Sequence, residues 1–150
     1  MTATEAILMA PLPGVGRRFA SMIYESLLLL GVLAATFMLP HLALGMGFGF
    51  TLPGWVLLCH IFGVLGIYFI WSWGHGGQTL AMQTWKMALS TPDGTPPSTT
   101  QLGLRYVLAW PSIICLGAGL MWALFDRDRQ FLHDRLAGTR VVFTKSEVPV

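Results

Sequence analysis

Charge is what this chain has least of. Lys, Arg, Asp and Glu make up 11% of its 150 residues, against 54% hydrophobic residues, whereas a soluble domain carries charge on roughly a quarter of its residues. So few ionised side chains cannot cover a water-facing surface, which excludes an ordinary soluble domain. Cysteine is scarce as well. Cys59 and Cys115 both lie inside apolar runs, which argues against a disulfide framework and leaves two thiols packed as small hydrophobes. Also missing is any nucleophile with a base and an orienter, or a pair of catalytic carboxylates in a water-accessible arrangement. Gly76-Gly77-Gln78-Thr79 lacks the lysine and the spacing of a phosphate loop, and Ser112 beside Pro111 has no evident base. The expectation is a protein that is not an enzyme, with no catalytic residue, no cofactor and no nucleic-acid partner.

What the chain does have is long uncharged stretches. Phe19 to Leu39 is an apolar run containing one charge, Glu25, and about 20 helical residues cross a hydrocarbon core of roughly 30 Å. This is the first predicted span. Arg17 and Arg18 ahead of it also suit an export signal. The run, however, exceeds the usual apolar region of about 7–15 residues and no small-x-small cleavage site follows, so it is expected to be retained. Pro40 is expected to stop the helix, and the uncharged linker with Gly45, Gly47 and Gly49 to be a flexible loop whose titratable group is His41. Leu52 to Trp73 is the second predicted span, with Pro53 in its first turn and Trp71 and Trp73 suited to an interfacial belt.

Residues 74–100 break the apolar pattern with a Gly cluster, a short interfacial helix and a Pro-Asp-Gly-Thr-Pro-Pro turn. A third apolar segment, Leu104 to Phe125, is interrupted at Pro111 and Ser112 and gives way to a charged tail in which Arg140 to Lys145 alternates as a short strand. The expected fold class is an all-α membrane protein: two full transmembrane helices (19–39 and 52–73), a Pro-broken third hydrophobic segment (104–125), and a small cytoplasmic loop and tail element. Residues 1–16 are expected as a flexible arm, 17–144 as the membrane domain and 145–150 as a short tail.

Orientation follows from basic residues. The first loop has none while Arg17 and Arg18 precede the first span, so the N-terminus is expected in the cytoplasm of a bacterial cell, at its inner membrane. If the third segment crosses once, the tail with Arg127, Arg129, Arg135, Arg140 and Lys145 lands outside and the positive-inside rule fails. If it returns to its starting side, all nine Lys and Arg are cytoplasmic. Charge favours the return. Length favours a crossing, because folding the segment back leaves about 11 residues, roughly 16 Å, per limb.

Three pieces of the chain resemble a known family: RRFASMIYE entering the first span, GGQTLAMQTWKMALSTPDGTPPS after the second, and FDRDRQFLHDRLAGTRVV in the tail. Together they resemble the RDD family of bacterial multi-pass membrane proteins, over roughly residues 15–143. The family is named for an Arg and two Asp. The resemblance implies Arg18 for the first, Glu25 in place of the first Asp, and Asp134 for the second. Ala81-Met82 stands where the family has Gly-Lys. Ion or small-solute transport has been suggested for some members.

Arg18 and Glu25 are seven residues apart, so they share a helix face about 10 Å apart along the axis. A carboxylate at that depth costs on the order of 2.5–3.5 kcal/mol on insertion scales and needs a partner inside the protein. Arg135, His133 or Arg18 are the expected partners of Glu25, and Arg18 or Arg17 those of Asp134. The cluster Arg18, Glu25 and Asp134, supported by Arg17, His133 and Arg135, has two readings. One is a salt-bridge network locking the tail to the first span. The other is a site where Glu25 binds and releases a proton or cation. His60, with His41 and His75 near the ends of its segment, lacks the spacing of a local metal motif and is read as a packing residue; no metal is expected. Gly31/Ala35, Gly63/Gly66 and Gly117/Gly119 permit close helix contacts. The tail arginines suit anionic lipid headgroups. The favoured function is a structural or assembly partner in the membrane, with the lipid bilayer and a homo-oligomer or another membrane protein as partners. The alternative is a small cation, proton or solute transporter acting as an oligomer through Glu25.

Overall fold

The structure, a computed structural model, describes residues 12–115, 117–127 and 130–144. Most of the expected N-terminal arm (1–11), together with Arg129 and the 145–150 tail, lies outside the described residues.

Helix α1, Val15–Phe48, begins after Pro13-Gly14 and is 34 residues long. Pro40 does not stop it, which corrects the expected boundary at Leu39 and the loop after it. Around Ala34–Met38 the helix widens into a π turn, and the α pattern resumes at Leu39. Pro40 therefore falls in the first turn of the resumed section, where its missing N–H costs little. Nearby carbonyls find side-chain donors: Thr36 Oγ1 donates to the Val32 carbonyl at 2.6 Å, and His41 Nδ1 lies 2.7 Å from that of Phe37. Gly45 and Gly47 of the expected loop are helical because lipid offers a loop's peptide groups no hydrogen bonds, whereas a helix satisfies its own. Gly49, at φ +63, ends α1.

Helix α2, Gly54–Gly74, starts at Pro53 and runs back along α1, so that Tyr68 and, just after the helix, Thr79 meet Glu25 near the start of α1. Gly76 and Gly77, both at positive φ, turn the chain into α3 (Leu80–Thr84), whose first turn is capped by Thr79. Strand β1, Met87–Ser90, follows. Helix α4, Thr99–Ile114, is opened by a reciprocal Ser98–Gln101 capping box, in which the Ser98 N–H donates to Gln101 Oε1 at 2.9 Å.

The third apolar segment breaks, though not at Pro111 as expected. Pro111 sits inside α4, and the chain turns through 96° between Ile114 and Ala118 into α5, Ala118–Phe125. Gly117 supplies the left-handed residue for this turn, at φ +73. Gly119 lets α5 lie against α4, since a Cβ there would run into the side chain of Ser112. Gly119→Ala is therefore expected to destabilise the protein by about 1–3 kcal/mol, the usual cost of overpacking. Ser112→Gly in the same chain should recover most of that loss, as read from thermal unfolding in detergent.

The tail adds α6, Leu132–Leu136, and β2, Arg140–Phe143. Strand β2 pairs antiparallel with β1, Met87 opposite Phe143 and Ser90 opposite Arg140. Because β1 lies in the loop between α2 and α4, this pairing puts the tail and that loop on one side. The third segment therefore returns rather than crosses. The main buried cluster lies at this end, where Trp73, Met82, Met87, Leu89, Leu102, Tyr106 and Val141 join the helix ends to the ribbon. Further along the helices the large apolar side chains Leu27, Leu30, Leu58 and Ile67 face outward, as lipid-facing surfaces do. Helices α1 and α2 have the length and composition of membrane spans, with mean hydropathies of 2.2 and 1.9.

Candidate functional site

Arg18, Glu25 and Asp134 are all buried, at the end of the molecule closed by the ribbon. Asp134, with no exposed surface, accepts a hydrogen bond from Arg105 Nε at 2.6 Å. The Arg105 guanidinium also lies 4.2 Å from the centre of the Trp73 ring, a cation–π contact in a desolvated place. Sequence reading gave Arg105 no role. The signal was there: Arg105 is the one charge within the apolar stretch 102–125, and the cost that demands a partner for Glu25 applies to it equally. Arg18 has Asp134, Arg105 and Asp126 as its charged neighbours.

Glu25 is held differently from expectation. Tyr68 Oη donates to its Oε1 at 2.5 Å, and the Thr79 hydroxyl donates to its Oε2. The same Thr79 oxygen accepts from the Met82 N–H at 3.3 Å, so the cap of α3 and the carboxylate of α1 form one chain of hydrogen bonds. Two of the expected partners of Glu25 are engaged elsewhere. Arg135 pairs with Asp126, and His133 stacks on Phe131 with Nε2 3.6 Å from Asp134. Arg17, expected near Asp134, lies instead over the Phe143 ring, 5.0 Å from its centre. Burial pushes the His133 imidazole down to about 4; the Asp134 charge opposes this and that of Arg105 adds to it.

Between α1 and α4 lies a cavity of about 310 Å³. Arg18, Ser21, Glu25, Thr79, Arg105 and His133 give it one polar end, and Leu29, Leu65, Phe69, Trp110 and Ile113 line its walls. The α1 residues 18, 21, 22, 25 and 29 recur at helical spacing, so one stripe of α1 faces the cavity. Helix α2 stands behind it through Leu65, Phe69 and Trp73.

The histidines read singly from sequence are partly brought together: the His41 and His60 rings are 5.0 Å apart, with Phe37 against both. Among the described residues, no group of three or more His, Cys, Asp or Glu is placed to hold a metal ion. Of the small-residue pairs, Gly66 meets the Tyr106 ring and Gly119 meets Ser112, while a Cβ on Gly31 or Gly63 would meet nothing.

Two membrane-length helices, a returning third segment, and a two-stranded ribbon clamped over a buried charge cluster define a small polytopic helical membrane protein. The chain belongs to the RDD family, which matches residues 12–138. No curated protein and no solved structure matches it.

Proposed function

We propose that this chain is a non-enzymatic structural or assembly module of the bacterial cytoplasmic membrane, its ribbon face and both ends of the membrane domain in the cytoplasm. One observation carries this reading: the charged residues are bonded to one another and to the fold. Asp134 holds α6 to α4 through Arg105, Asp126 holds Arg135, and Glu25 ties α1 to Tyr68 of α2 and to Thr79. A network of that kind fixes one arrangement of three membrane segments and a tail, and so offers a defined surface to another membrane protein or a second copy. The orientation rests on the basic residues, since Arg17, Arg18, Lys86, Arg105, Arg135 and Arg140 all belong to the ribbon end.

The cavity beside Glu25 favours a second reading, proton or cation transfer through an oligomer. Its walls beyond Glu25 are apolar, which opposes that reading for a single chain. The two separate in vesicles. The structural reading expects no solute-dependent proton flux above protein-free vesicles, and a loss of stability in Glu25→Gln. A flux that disappears in a folded Glu25→Gln protein would sink it. In cells, cysteines placed singly at Lys86 and Thr144, in a background without Cys59 and Cys115, are expected to resist a membrane-impermeant thiol reagent until the membrane is opened.

A further inference from the structure

The cavity between α1 and α4 has a direction. At its polar end stand Arg18 and Arg105, both more than nine-tenths buried. Trp73 and His133 line the same cavity, and each keeps a buried ring nitrogen, Nε1 and Nδ1, with no hydrogen-bonding partner among the described residues. An indole N–H can only donate, so the Trp73 nitrogen calls for an acceptor atom. At the other end, Ser26, Ile113 and Ile114 line the cavity and are exposed. They stand eight or nine residues beyond Arg18 and Arg105 on the same helices, about 12–14 Å further along, which is within the hydrocarbon layer. The mouth thus faces lipid, and an occupant entering there must itself be lipid-soluble.

We propose that this cavity binds one anionic phospholipid, with its phosphate at the Arg18 and Arg105 end and part of one acyl chain between α1 and α4. The volume, about 310 Å³, is at the small end of ligand pockets, which run roughly 300–1,000 Å³. It takes a phosphate and a length of chain, and the rest of the lipid stays in the bilayer through the opening. Charge agrees. The chain carries nine Lys or Arg against seven Asp or Glu, and Glu25 is the acid that lines the cavity. Both its oxygens are already engaged by Tyr68 and Thr79, so it does not compete for the guanidinium end. Asp134 neutralises Arg105 in part, and a phosphate oxygen would be shared with Arg18 and the Trp73 N–H, which suits charge-assisted bonds.

The test uses the whole protein purified in mild detergent. Native mass spectrometry is expected to retain one phospholipid on wild type after delipidation. Two blocking variants, Ala109→Phe within the cavity and Ile113→Trp at its mouth, are expected to lose it while remaining helical and monodisperse. Arg18→Gln should weaken retention about tenfold, the effect of losing one charge-assisted hydrogen bond. Adding phosphatidylglycerol back should raise the melting temperature of wild type and not of the blocked variants, with phosphatidylcholine giving a smaller rise. Equal retention by wild type and a folded blocking variant overturns the proposal. So does an equal rise with phosphatidylcholine, or a rise of the same size with inorganic phosphate alone, which would make this a free-anion site.

Discussion

Asp134→Ala is expected to lower the stability of the folded protein by about 3–5 kcal/mol, the typical cost of removing one member of a buried ion pair. The size follows from what is left behind. Asp134 is fully enclosed, and Arg105 is buried on a helix that continues into the membrane. An uncompensated guanidinium is far more expensive than a missing pair. Arg105→Met should therefore cost a comparable amount by stranding the carboxylate. The double variant Arg105→Met/Asp134→Leu should recover most of either loss, because two apolar side chains of similar size need no solvation. Recovery should stop short of wild type, since Asp134 is also a charged neighbour of Arg18. Reversible unfolding in mixed micelles measures all four proteins. If the single variants lose no more than a surface pair does, roughly 0–1 kcal/mol, the cluster does not hold the tail.

Acid should weaken the same region through His133. Burial lowers its folded value to about 4, while the unfolded chain titrates near 6.5. Above 6.5 both states are neutral at this residue and its contribution to stability is fully present. As pH falls from 6.5 towards 4, the unfolded chain takes up a proton that the folded protein refuses, and stability is lost across that window. The loss amounts to about 3 kcal/mol over the whole interval. His133→Gln keeps a polar side chain and removes the titration, so the difference in unfolding free energy between the two proteins should vary with pH between 6.5 and 4 and be flat above. A constant difference through that interval would mean that the imidazole is not held neutral.

How much of this was legible beforehand depends on the reach of each interaction. The spans at 19–39 and 52–73 were readable because apolar length is written directly in consecutive residues. Pro40 was misread by a rule learned from interrupted helices in water; in lipid the chain widens one turn and continues to Phe48. The third segment does break, but the turn falls at Gly117, where positive φ is available, not at Pro111. Charge counting favoured a returning segment while span length favoured a crossing, and the pairing of Met87–Ser90 with Arg140–Phe143 decides between them. Four residues pairing with four others some fifty positions away leave no trace in local periodicity. In the site, Arg18, Glu25 and Asp134 do gather at one end: Arg18 and Glu25 line one cavity, and Asp134 is a charged neighbour of Arg18. Their partners were harder. Glu25 is satisfied by the neutral hydroxyls of Tyr68 and Thr79, which no charge-matching argument selects, and Arg105 was hidden by its position at the start of an apolar run.

The length of α1 has a further consequence. Its 34 residues extend about 51 Å, whereas the hydrocarbon slab is about 30 Å thick. A helix so mismatched must lean or emerge from the far face, and the Gly-rich stretch ending at Phe48 is too apolar to stand in water. The π turn at Ala34–Met38 is the place where the axis of such a helix can bend. Bilayer thickness thereby becomes a structural variable: a thicker membrane stands α1 more upright, a thinner one lays it flatter.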